Sequence, residues 1–184
     1  MKDFILYQLG GITPSEWILF ALLCVSVGTI QFRVACRKGR KNKASEYLQI
    51  YAIIFVIWVT LLIRTPVSEH QANLIPLWSW YRGLILNDAG IRNQVYANVV
   101  LFVPFGFFSY FSKARPLRFF LLRGFLLSLL IEVCQYFLCL GLFEWDDMLH
   151  NSLGCLVGAS CGKIVKSIGN LQQWHNKCGR SWKK

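Results

Sequence analysis

The chain has 184 residues, of which 55% are hydrophobic and only 16% charged. Soluble domains carry roughly 25% charged residues, so this composition excludes an ordinary soluble globular protein. The net charge of +11 does not indicate nucleic acid, because the basic residues sit between and beyond long apolar runs, where membrane topology explains them.

In chain order, the stretch Met1–Trp17 carries Lys2 and Asp3 before the first apolar run and a basic block follows that run, so it does not fit a signal peptide. Five apolar runs follow, at about Trp17–Phe32, Tyr47–Ile63, Val95–Phe111, Leu117–Leu140 and Met148–Ile168. A bilayer core takes about 20 apolar residues per helix. Backbone in lipid must satisfy its own hydrogen bonds, so all five are expected as helices. The predicted class is all-α: a polytopic membrane protein of five transmembrane helices. The expected division is an extra helix and basic loop over 1–46, a four-helix core over 47–168, and a basic tail over 169–184.

Sixteen of the 20 basic residues fall on one side of these spans. Arg33, Arg37, Lys38, Arg40, Lys41 and Lys43 follow the first run. Lys113, Arg115, Arg118 and Arg123 lie between or just inside the third and fourth. Lys163, Lys166, Lys177, Arg180, Lys183 and Lys184 close the chain. The positive-inside rule makes that side cytoplasmic, with the N-terminus outside and the C-terminus inside.

The connection from Arg64 to Gln94 is then external. Its piece Asn73–Leu86 is too short to span and rich in Trp, Tyr and Leu, which suits a segment lying along the membrane surface or dipping into it. The tail, with Trp174 and Trp182, suits an anchor on anionic lipid. Five of the seven cysteines lie in apolar runs and Cys36 and Cys178 in basic segments, with no Cys-x-x-Cys pair. This predicts packing residues rather than disulfides or a zinc site.

Glu132 is the most informative residue, because a mid-helix acid costs about 2.5–3.5 kcal/mol on insertion scales and needs a partner, a proton or a purpose. Gly124, Ser128, Glu132, Gln135 and Cys139 form one small-and-polar stripe on the fourth run. Asp147, Asn151, Gly154, Gly158 and Gly162 form another on the fifth, and its glycine ladder is expected to face the fourth helix closely. That pairing would bring Glu132 and Gln135 near Asn151 and Asp147. Asn98 and Arg64 are placed at the same depth, Arg64 as a candidate to neutralise an acid. Pro104, beside Gly106, frees a carbonyl in the third run and is expected to kink it.

Plainer readings stand beside these. Glu132, Gln135 and Asn151 could serve only as interhelical hydrogen-bond partners. Glu144, Asp146 and Asp147 could be a solvated loop, and as a divalent-cation site they are a weak signal. His70 and His150 fit surface or packing roles better than catalytic ones. No metal and no cofactor is predicted.

These residues carry a family resemblance. Arg64-Thr65-Pro66, Asn73-Leu-Ile-Pro76, NVVLFVPFGF from Asn98, SLLIEVCQ around Glu132 and Gln135, and EWDDMLHNSLG around Asp147, Asn151 and Gly154 stand in this order over about Tyr47–Lys166. Together the chain resembles the VanZ-like family, named for an accessory protein of teicoplanin resistance. The family often has Asp where Glu144 stands. Many members carry an arginine shortly before that acid, where this chain has Gly141-Leu142-Phe143; Arg64 or Arg92 is the candidate substitute.

The resemblance implies a bacterial cytoplasmic membrane protein linked to glycopeptide resistance. Depth and helical face make Arg64, Asn98, Glu132, Gln135, Asp147 and Asn151 the candidate ligand-binding residues, and the matching motif adds Glu144. Expected partners are the bilayer and a lipid-linked envelope precursor or a glycopeptide, not nucleic acid, and an oligomer stays open. The leading function is binding or shielding of an envelope ligand at an outward-facing polar pocket. The alternatives are an intramembrane enzyme using Glu132 as acid or base, and a small transporter subunit in which a buried acid carries a proton. No H-E-x-x-H, G-x-S-x-G or P-loop motif supports an enzyme.

Overall fold

The computed structural model describes residues 15, 18, 20–22, 24–27, 44–112 and 115–181. Most of the first apolar run, the basic block Arg33–Lys43 with Cys36, Lys113, and the tail end from Trp182 lie outside the described residues.

The described chain is mostly helical. The second apolar run forms α1 (Ala44–Ile57), which continues as a π turn, Trp58–Leu62. Phe20 of the first run stacks on Trp58 at 4.6 Å between ring centroids. Tyr51 donates its hydroxyl to the Cys24 carbonyl at 3.2 Å.

After α1 the chain makes a short strand, β1 (Gln71–Asn73), then a helical turn, α2 (Trp78–Trp80), continued by a π turn at Tyr81–Ile85. The third run is α3 (Ala89–Ser112). Asp88 caps it by accepting the N–H groups of Gly90 at 3.0 Å and Ile91 at 3.2 Å. Pro104 sits inside α3 without ending it. The fourth run is α4 (Leu117–Phe137), which starts directly after Pro116, where the fixed φ of proline suits a helix entry. Strand β2 (Leu142–Glu144) leads into α5 (Trp145–Ser181).

Among the described residues two helices are long and apolar enough to cross a membrane: α1 with its π turn, and α3. The others differ by their charges. α4 carries Arg118, Arg123 and Glu132, and α5 opens on Asp146 and Asp147. In both, the acids lie near the polar end of the bundle.

The all-α class holds, and one short strand pair lies in the connections between the helices. β1 and β2 are parallel, pairing Gln71 with Leu142, Ala72 with Phe143 and Asn73 with Glu144. Three-residue strands carry no readable alternation, and their partner lies some 70 residues away. The pair ties the connection after α1 to the entry of α5.

The core centres on α5. A Cβ added at Gly154 would stand 2.1 Å from the Val99 carbonyl oxygen, and one at Gly158 2.0 Å from that of Val103. Gly162 faces Phe107 and Tyr110. The glycine ladder therefore faces α3, which corrects the expectation that it faces the fourth apolar run. Glycines at every fourth position license close approach but do not say which neighbour approaches. The adjacent face of α5 meets α4 instead: a Cβ at Gly124 would lie 2.8 Å from Cys155 Cβ and 2.9 Å from Ser152 Cα. Gly106 of α3 lies against the Cys155 carbonyl from the other side. Phe102, Phe105, Phe120 and Ile131 fill the space between.

Candidate functional site

The polar residues gather where α4 ends, α5 begins and β2 joins them. Glu132 lies five residues before the end of α4, roughly 8 Å from it at 1.5 Å per residue. Its side chain is buried, and Oε2 accepts the main-chain N–H of Glu144 at 2.9 Å. Glu144 is buried in turn, and its Oε2 accepts the Gln94 amide of α3 at 2.6 Å. Three elements thus meet through two carboxylates and one amide.

Burial first, and the Asp147 carboxylate second, push the Glu144 carboxyl up to about 7, against the lowering effect of the Gln94 bond. Asp147 lies near enough for its charge to act on Glu132 as well.

Gln135 turns away from these acids. Its amide donates to the Thr60 carbonyl at 2.9 Å, inside the π turn that ends α1. The π turn shifts bonding to i→i+5, as in Ile63 N–H to the Trp58 oxygen, and helix-end carbonyls need outside donors. Asn151 faces α4, where its Nδ2 donates to Ser128 Oγ at 2.7 Å, one turn from Glu132. Its Oδ1 is buried and has no partner.

Asn98 lies one helical turn below Gln94 on α3, with Nδ2 buried and unpaired. Arg64 is exposed, and its guanidinium lies over Gly141: a Cβ built there would stand 2.7 Å from Nη1. Glycine, here at φ +153°, leaves the space that this guanidinium covers. Arg92 is instead bonded to Asn87, so of the two basic candidates Arg64 is the one whose charge acts on Glu132.

Asp146 and His150 hold structural roles that a linear reading missed. Asp146 is not a solvated loop residue. It is buried, and its carboxylate accepts Leu77 N–H at 2.6 Å, Ser79 N–H at 2.8 Å and Ser79 Oγ–H at 2.6 Å. It fixes the start of α2, where Leu77 adopts φ +60°. His150 is fully buried, and its Nε2 accepts the Trp80 indole N–H at 2.6 Å. An indole only donates, so Nε2 is unprotonated and the ring proton of neutral His150 is on Nδ1. That Nδ1 has no hydrogen-bond partner and stands 3.6 Å from Asp147 Oδ1. The signal that could have found this pair was the i,i+3 spacing of Asp147 and His150 on one face.

Among the described residues no Lys or Arg pairs with Glu132, Glu144, Asp146 or Asp147, and no three His, Cys, Asp or Glu side chains are grouped to hold a metal ion. The arrangement holds two buried donors, Asn98 Nδ2 and His150 Nδ1, and one buried acceptor, Asn151 Oδ1, without hydrogen-bond partners.

No curated protein and no solved structure matches the chain. A family model described as VanZ/LLP1 matches residues 49–166, well over half of its length. The chain belongs to the VanZ/LLP1 family.

Proposed function

We propose that this VanZ/LLP1 protein crosses the membrane five times and binds an envelope or lipid-linked ligand at the polar end of its bundle. The observation that carries this reading is the set of buried, unpaired polar atoms on adjoining helices, Asn98 Nδ2, His150 Nδ1 and Asn151 Oδ1. Leaving such atoms unmet costs about 1–3 kcal/mol each, and a ligand that meets them offsets that cost. The exposed Leu74, Ile75, Leu84 and Ile85 flanking α2 suit a segment at the headgroup level, where a lipid-linked ligand arrives. In this reading the polar end is external, by the placement of the basic residues.

Binding or shielding fits better than catalysis. Glu132 is engaged by a backbone N–H, and Asp146 by three donors, so both acids hold structure. The link to glycopeptide resistance comes from the family resemblance. The test is drug susceptibility in cells expressing the chain, with membrane-inserted yield measured in parallel. Asn151→Leu and Glu144→Gln proteins that insert normally yet give no teicoplanin protection support the site. Full protection from both variants overturns it.

A further inference from the structure

The end of α4 opposite Glu132 carries a cluster of another kind. Arg123 lies six residues into α4, about 9 Å past its start. Its guanidinium carbon stands 5.6 Å from the ring centre of Phe105 on α3 and 5.9 Å from that of Phe119 on α4. Arg115, two residues before α4, stands 5.8 Å from the same Phe119 ring. Two guanidinium groups therefore share one phenyl ring and lie no more than about 12 Å apart. Arg123 is half-buried and Arg115 is exposed, so the pair runs from the seam between α3 and α4 to the surface.

The rings hold the cations but leave their hydrogen bonding unmet. A guanidinium has five N–H donors in its plane and no acceptor, and a phenyl face attracts the charge without accepting those in-plane donors. Among the described residues neither Arg115 nor Arg123 has an ion-pair or hydrogen-bond partner. Two like charges on one ring repel, and a cation within an apolar span is costly without a partner. A helical side chain leans toward the N-terminus of its helix, which carries the Arg123 guanidinium toward the level of the headgroups. The missing partner is thus an anion with several acceptor oxygens at that level. Phosphate fits, because its oxygens take guanidinium N–H groups in pairs.

We propose that Arg115 and Arg123, seated on Phe119, hold the phosphate of an anionic phospholipid. Phosphatidylglycerol offers that phosphate with a net charge. Phosphatidylcholine offers it beside a cation of its own, which repels the arginines. The site is separate from the polar end of the bundle, so its failure leaves the proposed function untouched.

The test uses the full chain in nanodiscs of phosphatidylcholine with increasing shares of phosphatidylglycerol. Lipid retained through purification is counted by native mass spectrometry. The parent should retain phosphatidylglycerol selectively. Arg115→Gln and Arg123→Gln should each need about tenfold more of that lipid to fill the tightest site, the worth of one charge-assisted hydrogen bond. Arg118 is exposed and meets no ring among the described residues, so Arg118→Gln loses the same charge and should fill like the parent. Arg115 is exposed as well, so Arg115→Gln decides the result if Arg123→Gln does not insert. Inorganic phosphate raising the unfolding midpoint of the parent but not of Arg115→Gln in phosphatidylcholine discs, without selective lipid retention, overturns the lipid and assigns the arginines to a soluble phosphate. Equal weakening in Arg118→Gln, or neither selective retention nor a phosphate effect, overturns the site.

Discussion

Glu132 on α4 and Glu144 on β2 are joined by a single hydrogen bond, 2.9 Å from a buried carboxylate oxygen to a main-chain N–H. The bond makes the acid a clamp on the α4–α5 connection as well as a part of the polar cluster. Glu132→Gln keeps an acceptor oxygen and the side-chain shape, so membrane-inserted yield should stay close to that of the parent. Glu132→Leu strands the Glu144 N–H, at a cost of about 1–3 kcal/mol, and should lower both yield and unfolding midpoint. If the leucine variant inserts and melts like the parent, the clamp is not needed.

The glycines of α5 divide sharply by position. Gly158→Ala puts a methyl 2.0 Å from the Val103 carbonyl, against rigid backbone, so α3 and α5 must separate. Folded yield in detergent should fall strongly. Gly169 has nothing within 4 Å of an added Cβ. Gly169→Ala should therefore be neutral or stabilise the helix by about 0.5–1 kcal/mol. Equal loss in the two variants would mean that close packing on α3 is not the reason for the ladder.

These contrasts show where the sequence was legible. The stripes mark buried faces from Gly124 to Gln135 and from Asn151 to Gly162, because small and polar residues at helical spacing survive in lipid only against protein, while Cys139 falls past the end of α4 at φ +53°. What the stripes cannot encode is the choice of neighbour. Gly154 and Gly158 would fit any helix with a smooth face, and it is α3, bearing Gly106, that takes them. The polar cluster was legible in part. Glu132 stood out by its cost in an apolar run, whereas Gln94 and Trp80 looked like ordinary loop or helix-end residues. Their roles depend on contacts 50 and 70 residues away, which periodicity does not carry. Asp146 read as one of three acids in a loop, and only the backbone of Leu77 and Ser79 folding onto it reveals a cap.

Asp146 should control the order of α2. With three donors on one carboxylate, Asp146→Ala removes charge-assisted bonds worth about 1.5–3 kcal/mol each before compensation by water. Hydrogen exchange at Ser79 should accelerate by orders of magnitude, while amides in α3 keep their protection. Unchanged exchange at Ser79 would show that the turn is held by its own packing.

Reporter fusions test the five-span topology. A reporter active only outside the cytoplasm should be active after Asp88 and silent after Lys184. Activity at the C-terminus would reverse the orientation drawn from the basic residues.

The pH dependence of stability should isolate Glu144. Its carboxyl sits at about 7 in the folded chain, raised by burial and by Asp147, against an ordinary value of 4.5. A raised acid binds its proton more tightly folded than unfolded. The stability it supplies is therefore complete below about pH 4.5 and is lost as pH climbs toward 7, where the folded carboxyl ionises. The unfolding midpoint of the parent should fall across that window. Glu144→Gln cannot ionise, yet it can still meet Gln94 with its amide, so its midpoint should change less over the same range. Parallel profiles for parent and variant in phosphatidylglycerol discs would remove Glu144 as the titrating group.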